Sequence, residues 1–290
     1  MNDLISYIIL GGVFLFTLVL GVWAGKDVKT MKDYVLANRE LSTAVVTMSM
    51  LATCIGAAEI RYPNYIFRYG IVDMLQALPY TITFLMIGAF IAPNMVYFHD
   101  CLTTGDIMQK LYGNTARTFT GAVNFVFSIL IISSQIRAVG YLNSHLLGLP
   151  AEQVILSVGM VIVVYTLLGG MRSVVYTDVL QFISISVVIL FLTIVLVYQI
   201  GGLKALFTNL PDKKLTLISN PTLGYAVKGA LFWGGPTLLL TPPVLMRMLM
   251  IQDKRQASNM FFSGAMVNAL MRIAFMLIGL STVVYFSGFS

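Results

Sequence analysis

The chain has 290 residues, 58% of them hydrophobic and 10% charged, against roughly 25% charged in an ordinary soluble domain. A mean hydropathy of +0.87 and recurrent apolar runs of about 20 residues exclude a soluble globular protein and indicate a polytopic helical membrane protein. The net charge of +6 therefore bears on orientation in a lipid bilayer and does not suggest nucleic-acid binding. Cys54 and Cys101 form no disulfide framework, His99 and His145 lie far apart, and no metal-ligand spacing is present.

Eight apolar stretches read as spans: 4–23, 41–60, 71–98, 119–142, 153–168, 177–200, 223–250 and 260–286. The first lacks a basic leader and a small-residue cleavage site, so it reads as a retained helix and not a signal peptide. Eight crossings put both ends on one side. With the N-terminus outside, ten Lys and Arg fall in inner loops and seven in outer ones, and Arg272 within the last span completes the 18. The basic cluster Lys26, Lys29 and Lys32 after the first span weighs most. The expectation is a multi-pass protein of the cell (inner) membrane with its N-terminus outside.

The second span is the most irregular. Residues 49–58 are small and weakly polar, and Glu59, Arg61 and Pro63 follow. Gly56 and Pro63 weaken helical hydrogen bonding, and unwound backbone at membrane depth persists only where it lines a cavity. Carbonyls freed there are good ligands for a bare monovalent cation. The plainer alternative is a small-residue packing face ending in an interfacial Glu59/Arg61 pair. In the third span Asp73 and Gln76 share one face near the outer end, where a network or gate with Arg61 or Arg68 is expected, and Pro79 suggests a kink. Residues 99–117 read as a polar inner loop. The fourth span ends in Ser133-Ser134-Gln135-Ile136-Arg137, where Gln135 suits an interhelical hydrogen bond.

The densest chemistry lies at 167–181. Gly169-Gly170 breaks one helix, Arg172 sits in a short turn, Thr177 can cap the next helix, and Asp178 and Gln181 share its first face. A carboxylate at the mouth of a span needs water, an ion or a partner, and an Arg172–Asp178 pair is the plain reading. Residues 201–221 read as the longest non-helical segment, with Pro211-Asp212-Lys213-Lys214 as a turn. Trp233-Gly234-Gly235-Pro236 and Pro242-Pro243 suggest a second discontinuous helix. Asn268 and Arg272, four apart, share one face of the last span.

Several of these motifs resemble the sodium:solute symporter family, which includes proline, pantothenate, acetate, sialic-acid and sodium/glucose cotransporters. Tyr165-Thr166, Gly169-Gly170, Val174, Thr177-Asp178 and Gln181 are similar to its signature. Tyr34, Ala37-Asn38-Arg39 and Leu41-Ser42 resemble the family's entry into the broken helix, and Ala52-Thr53, Pro63 and Arg68-Tyr69-Gly70 follow its pattern. Thr104-Gly105-Asp106-Ile107, Leu111-Tyr112-Gly113, Arg247 and Gln252-Asp253-Lys254 to Ala257 resemble its inner-loop motifs. Glu59 and Arg61 depart from the apolar or small residues of many members, and Pro242-Pro243 is atypical.

The resemblance implies an all-α LeuT-type inverted-repeat fold within a single transmembrane domain, 1–290. Its parts are a leading helix at 4–23, a first repeat over 41–200 and the start of a second over 223–287. The later helix that brings Ser and Thr hydroxyls to the sodium site lies outside these 290 residues, so a second chain could supply the missing helices. By resemblance, Leu51 and Cys54, with Ala52 and Thr53 between them, hold the coupling sodium, and Asp178 guides its release at the inner face. Asp73 matches a substrate-contacting acid in some sugar-transporting members, Gln76 shares its face, Gln135 matches a polar residue facing the central pathway, and Asn268 matches a position polar in some members. The expected function is sodium-driven symport of a small organic solute. Arg61 and Arg68 hint at a zwitterion or carboxylate such as proline or another amino acid. A non-transporting sensor or scaffold, or an inactive fragment, is the alternative, and no nucleophile, metal or paired-acid constellation supports an enzyme.

Overall fold

Backbone polar groups in hydrocarbon must be satisfied within their own segment, and the computed structural model of the chain meets this demand with helices. The structure describes residues 2–26, 28–56, 59, 61–216, 223–224, 227–228 and 241–287, and no strand occurs among them. Helix α1 (Asn2–Gly25) leads to α2 (Met31–Leu36), α3 (Thr43–Cys54) and α4 (Arg61–Tyr69). A 3-10 turn over Gly70–Gln76 runs into α5 (Ala77–Met86), which continues through a π turn at Ile87–Ile91 and a 3-10 segment at Ala92–Phe98. Then come α6 (Thr104–Tyr112), α7 (Asn114–Leu147), α8 (Ala151–Ile200), α9 (Gly202–Asn209), α10 (Asp212–Leu215), α11 (Pro242–Leu249) and α12 (Lys254–Ser287).

Four helical stretches are long and apolar enough to cross a membrane: Ala77–Phe98, Asn114–Ser144, Thr166–Ile200 and Lys254–Phe286. Gly11–Gly25, Thr43–Cys54 and Ala151–Val164 are shorter apolar helices. Phe125, Leu130, Val187, Phe191 and Ile194 are all more than half exposed on α7 and α8. Apolar exposure on that scale suits lipid rather than water.

Several segments differ from their sequence expectation, each for a local reason. The second span stops at Cys54. Ile55 leaves helical geometry at φ −107°, ψ 58°, and the Gly56 carbonyl turns to accept the Glu59 amide at 2.9 Å. Residues 99–117 hold a helix, because Thr103 and Asp106 form a reciprocal capping box for α6. Residues 201–216 are largely helical too, since Leu206 and Leu210 lie one turn apart and both are buried. Pro79 falls in the first turn of α5, where its missing amide breaks no helical bond. Distortion appears later, at Pro93, which cannot donate to the Ala89 carbonyl; the Asn94 side-chain amide bonds the Phe90 carbonyl at 2.7 Å instead. The expected break at Trp233–Pro236 lies outside the described residues, and Pro242-Pro243 open α11.

Helix α8 is the packing hub, touching α1, α3, α7 and α12. It bends once, at Gly170 (φ 56°, ψ −150°), and is otherwise continuous. Arg172 and Thr177 therefore lie inside it, and the Thr177 hydroxyl donates to the Ser173 and Val174 carbonyls instead of capping a new helix. A Cβ on Gly25 or Gly169 would strike the backbone of the facing helix, so glycine permits the close approach of α1 to the bend. Helix α12 runs parallel to α3 and α4. Thr47 meets Ser263, Met50 faces Gly264, Tyr62 packs on Phe275 and Ile66 faces Gly279.

Gly170 combines a left-handed φ with a Cβ path that would end 2.7 Å from Tyr34. Gly170→Ala is expected to lower the thermal melting midpoint in detergent, at a cost of about 1–3 kcal/mol or more. Gly11→Ala, where a Cβ meets nothing within 4 Å, is expected to leave it unchanged or slightly raised.

Candidate functional site

The site grows from the end of α3. The Leu51 carbonyl accepts the Ile55 amide at 2.7 Å, so helical bonding there is intact. Beyond it, no backbone amide among the described residues donates to the carbonyls of Ala52, Thr53 or Cys54. Of the expected sodium-site residues, three thus present carbonyls with no backbone donor among the described residues, and Leu51 presents an engaged one. The Thr53 hydroxyl donates to the Ser49 carbonyl at 3.1 Å and keeps lone pairs for a second partner. Among the described residues no three His, Cys, Asp or Glu cluster as metal ligands. The donor set at the break is neutral oxygen, which fits a monovalent cation better than a transition metal.

Polar side chains from three other elements converge on this break. Gln135 on α7 lies against Gly56, whose Cβ would come 3.2 Å from the Gln135 amide nitrogen. Asn268 on α12 is fully buried, and neither amide atom has a hydrogen-bond partner among the described residues. Its place follows from the parallel register: Gly264, four residues earlier, faces Met50, and Arg272, four later, reaches Glu59, so Asn268 is level with Cys54. Tyr80 of α5 completes this side, with its ring centroid 5.3 Å from the Arg272 guanidinium.

Two buried ion pairs bracket the break. On the α3 side, Asp178 accepts from Arg247 Nη2 and from the Ser49 hydroxyl, both at 2.6 Å. Arg247 Nε reaches Ser49 at 3.2 Å and its Nη1 the Pro243 carbonyl at 3.1 Å, so α3, α8 and α11 meet at one carboxylate. On the α4 side, Arg272 Nη1 donates to Glu59 at 2.6 Å and the guanidinium sits 4.5 Å from the Tyr62 ring centroid. Their side chains are 8% and 18% exposed, respectively.

These pairings correct three expectations. The Arg172–Asp178 pair does not form: Arg172 lies one turn past the bend and bonds Glu40 at 2.8 Å, and Asp178 faces α3. Arg247, assigned to an inner loop, is only 5% exposed. Glu59 pairs across the break with Arg272 and not with Arg61. Arg61 and Arg68 are exposed on α4, whose buried face is Tyr62 and Ile66, and neither makes an ion pair among the described residues. Asp73 is buried below α4, where its backbone carbonyl accepts the Tyr62 hydroxyl at 3.3 Å. The side chain of Gln76 lies outside what is described, and Gln181 is exposed on α8.

Sequence reasoning missed Ser49, Tyr62, Tyr80 and the roles of Arg247 and Arg272. Arginines inside long apolar runs were the available signal, because such charges demand partners. At one end of the molecule Arg39 donates to the Leu249 carbonyl at 2.7 Å, and Lys110 pairs with Asp100 at 2.8 Å, holding that carboxyl below the usual carboxylate range. Lys214 at the other end donates to the Phe67 and Arg68 carbonyls.

Comparison with known proteins bears on the family and the fold. A sequence profile of the sodium:solute symporter family matches residues 34–289. The chain is 27% identical over 206 residues to a rabbit (Oryctolagus cuniculus) sodium-dependent multivitamin transporter, covering 69% of this chain and 32% of that protein. It is 24% identical over 289 residues to the osmoregulated proline transporter OpuE of Bacillus subtilis, covering 94% and 58%. A solved Na+-coupled sialic acid symporter, in a substrate-bound outward-open state, superposes with a TM-score of 0.84 at 18% identity, over 98% of this chain and 61% of that one. That likeness shows the fold, a LeuT-type helical architecture. The chain spans less than two thirds of the length of each.

Asp178→Asn is expected to cost about 3–5 kcal/mol by leaving the Arg247 charge buried without its counter-ion. Asp178→Leu with Arg247→Met is expected to recover most of that loss, read as the melting midpoint in detergent. A double variant as unstable as the sum of its parts would show that the pair is not the interaction at stake.

Proposed function

We propose, for a chain that belongs to the sodium:solute symporter family, that the break after Cys54 is one wall of a sodium site. On this reading the protein carries out sodium-coupled symport of a small organic solute. The observation that carries it is that, among the described residues, no backbone amide donates to the Ala52, Thr53 and Cys54 carbonyls where the helix stops, beside Gln135 and an Asn268 amide likewise without a described partner. Bare carbonyls in a low-dielectric setting are costly unless something electropositive meets them, and a dehydrated sodium ion does so.

In this scheme the Asp178 carboxylate, one turn below Thr53 through Ser49, lowers the potential on the path toward the Arg39 end. Arg247 keeps it from binding the cation outright. Gln135 and Asn268 serve the solute, with Asp73 and Gln76 further toward the Lys214 end. Helices α3 to α8 act as the first repeat, α1 as a leading helix, and α11 and α12 belong to the second. The protein resides in the cell membrane with its N-terminus outside, which places the Arg39 end in the cytoplasm. Sodium entering down a potential of about 100 mV releases roughly 2.3 kcal/mol per charge before its own gradient is counted. A driving force of that size supports severalfold accumulation of a solute moving with one sodium.

Sodium is expected to stabilise the purified protein more than potassium at equal ionic strength, by about 2.7 kcal/mol when it reaches 100 times its dissociation constant. Thr53→Val is expected to weaken the sodium-specific shift in melting midpoint at least tenfold in sodium concentration, and Thr53→Ser to retain it. Equal midpoints in the two salts would sink the sodium-site reading.

A further inference from the structure

The geometry points to Glu59 and Arg272, joined across the broken helix, as the pair that selects the solute's charge, so that the site takes a small zwitterion of the α-amino-acid type with an apolar body. The inference rests on the symport reading above and adds the substrate class. Arg272 is buried and Glu59 largely so, and their opposite charges meet at 2.6 Å, so the pair itself carries no net charge. Among the described residues the Glu59 carboxylate is bonded through one oxygen, to Arg272, which is flanked by the faces of Tyr62 and Tyr80, at 4.5 and 5.3 Å from the ring centroids. The rings fix the guanidinium in position while leaving its edge for a carboxylate.

Three solute classes meet this pair differently. A monocarboxylate drawn to Arg272 must displace Glu59 and leave that carboxylate buried and uncompensated. A sugar hydroxyl that parts the pair replaces charge-assisted bonds with weaker neutral ones. A zwitterion inserted between the two gives its carboxylate to Arg272 and its ammonium to Glu59, so every charge keeps an opposite neighbour and the total stays zero. Two more observations favour a bound polar head here. The Asn268 amide, one turn from Arg272, is fully buried with both its donor and its acceptor unused among the described residues, which a native core seldom tolerates without a ligand or water. Arg272 is also the sole charged residue among the described lining of a cavity of about 460 Å³, whose walls include Ile71, Met74, Leu78 and Met276. That volume suits a small ligand, and its apolar walls suit an unpolar side chain next to the charged head.

The test uses the full-length protein with L-proline, L-valine, L-serine, D-glucose and propionate as probes, read by thermal shift and by equilibrium binding of the labelled compounds. Proline or valine is expected to bind at least tenfold more tightly than glucose or propionate, and more tightly than serine. Because Glu59→Gln alone strands the Arg272 charge, the decisive variant is the double E59Q/R272Q, which keeps neutrality and can keep an amide–amide hydrogen bond. It is expected to retain its melting midpoint and its sodium-specific shift while losing amino-acid binding at least tenfold. Wild-type affinity in that double variant, tighter binding of propionate or glucose, or no binding of any probe overturns the proposal. Sodium-dependent binding of glucose or propionate would leave symport standing and end the zwitterion assignment; proline binding indifferent to sodium would do the reverse.

Discussion

A peptide backbone cannot be left open in hydrocarbon, and the interruption between Cys54 and Arg61 is the point at which this structure must answer that constraint. Helix α3 ends without a glycine cap in the left-handed conformation, which would have satisfied its last carbonyls internally. Instead the chain turns through Gly56 to Glu59 and restarts as α4. Every neighbouring element then contributes a polar group at this level: Gln135 from α7, Tyr80 from α5, and Asn268 and Arg272 from α12. Among the remaining core residues, large apolar side chains such as Met50, Phe84 and Phe261 predominate.

The buried charges follow the same logic. An isolated ion at this depth costs several kcal/mol, so each buried cation is matched to a carboxylate on another element, Arg247 to Asp178 and Arg272 to Glu59. Such pairs add little net stability compared with apolar substitutes, but they are intolerant of being separated. One pair fixes α3 to α8 and α11, and the other fixes the turn before α4 to α12. The two halves of the broken helix are thereby held by different partners, and only the short turn between them joins them covalently.

Much of the fold was legible because its signals are local. The break within the Ser49 to Ala58 run, the bend at Gly169-Gly170 and the long apolar spans all follow from composition and from glycine's conformational freedom. Capping boxes at Thr30/Asp33 and Thr103/Asp106 were equally readable, yet polarity alone led residues 99–117 to be taken for a loop. Partner choice was not legible. Asp178 sits six residues from Arg172 but bonds Arg247, 69 residues away, and Glu59 bonds Arg272, 213 residues away, in preference to its near neighbour Arg61. Sequence distance favours the near partner, whereas helix facing decides the real one. Arg61 falls on the exposed side of α4 because Tyr62 and Ile66 claim the buried side.

The parallel run of α12 beside α3 and α4 explains why the break does not simply come apart. Thr47 with Ser263 and Met50 with Gly264 index the lower half, and Tyr62 with Phe275 and Ile66 with Gly279 index the upper half, against one continuous helix. A splint of this kind keeps the spacing of the two halves across the interruption. At Gly279 a Cβ would come 2.7 Å from the Pro63 carbonyl, a backbone-close contact, whereas at Gly264 it would meet the Met50 and Phe84 side chains. On the sodium site proposed above, a cation at the Ala52–Cys54 carbonyls would pull on the lower half, and a solute parting Glu59 from Arg272 would loosen the upper half from the splint. Ligands at those two places would act on one turn from opposite ends, so each would change the free energy of binding the other, which is the minimum physical requirement for coupling two binding events.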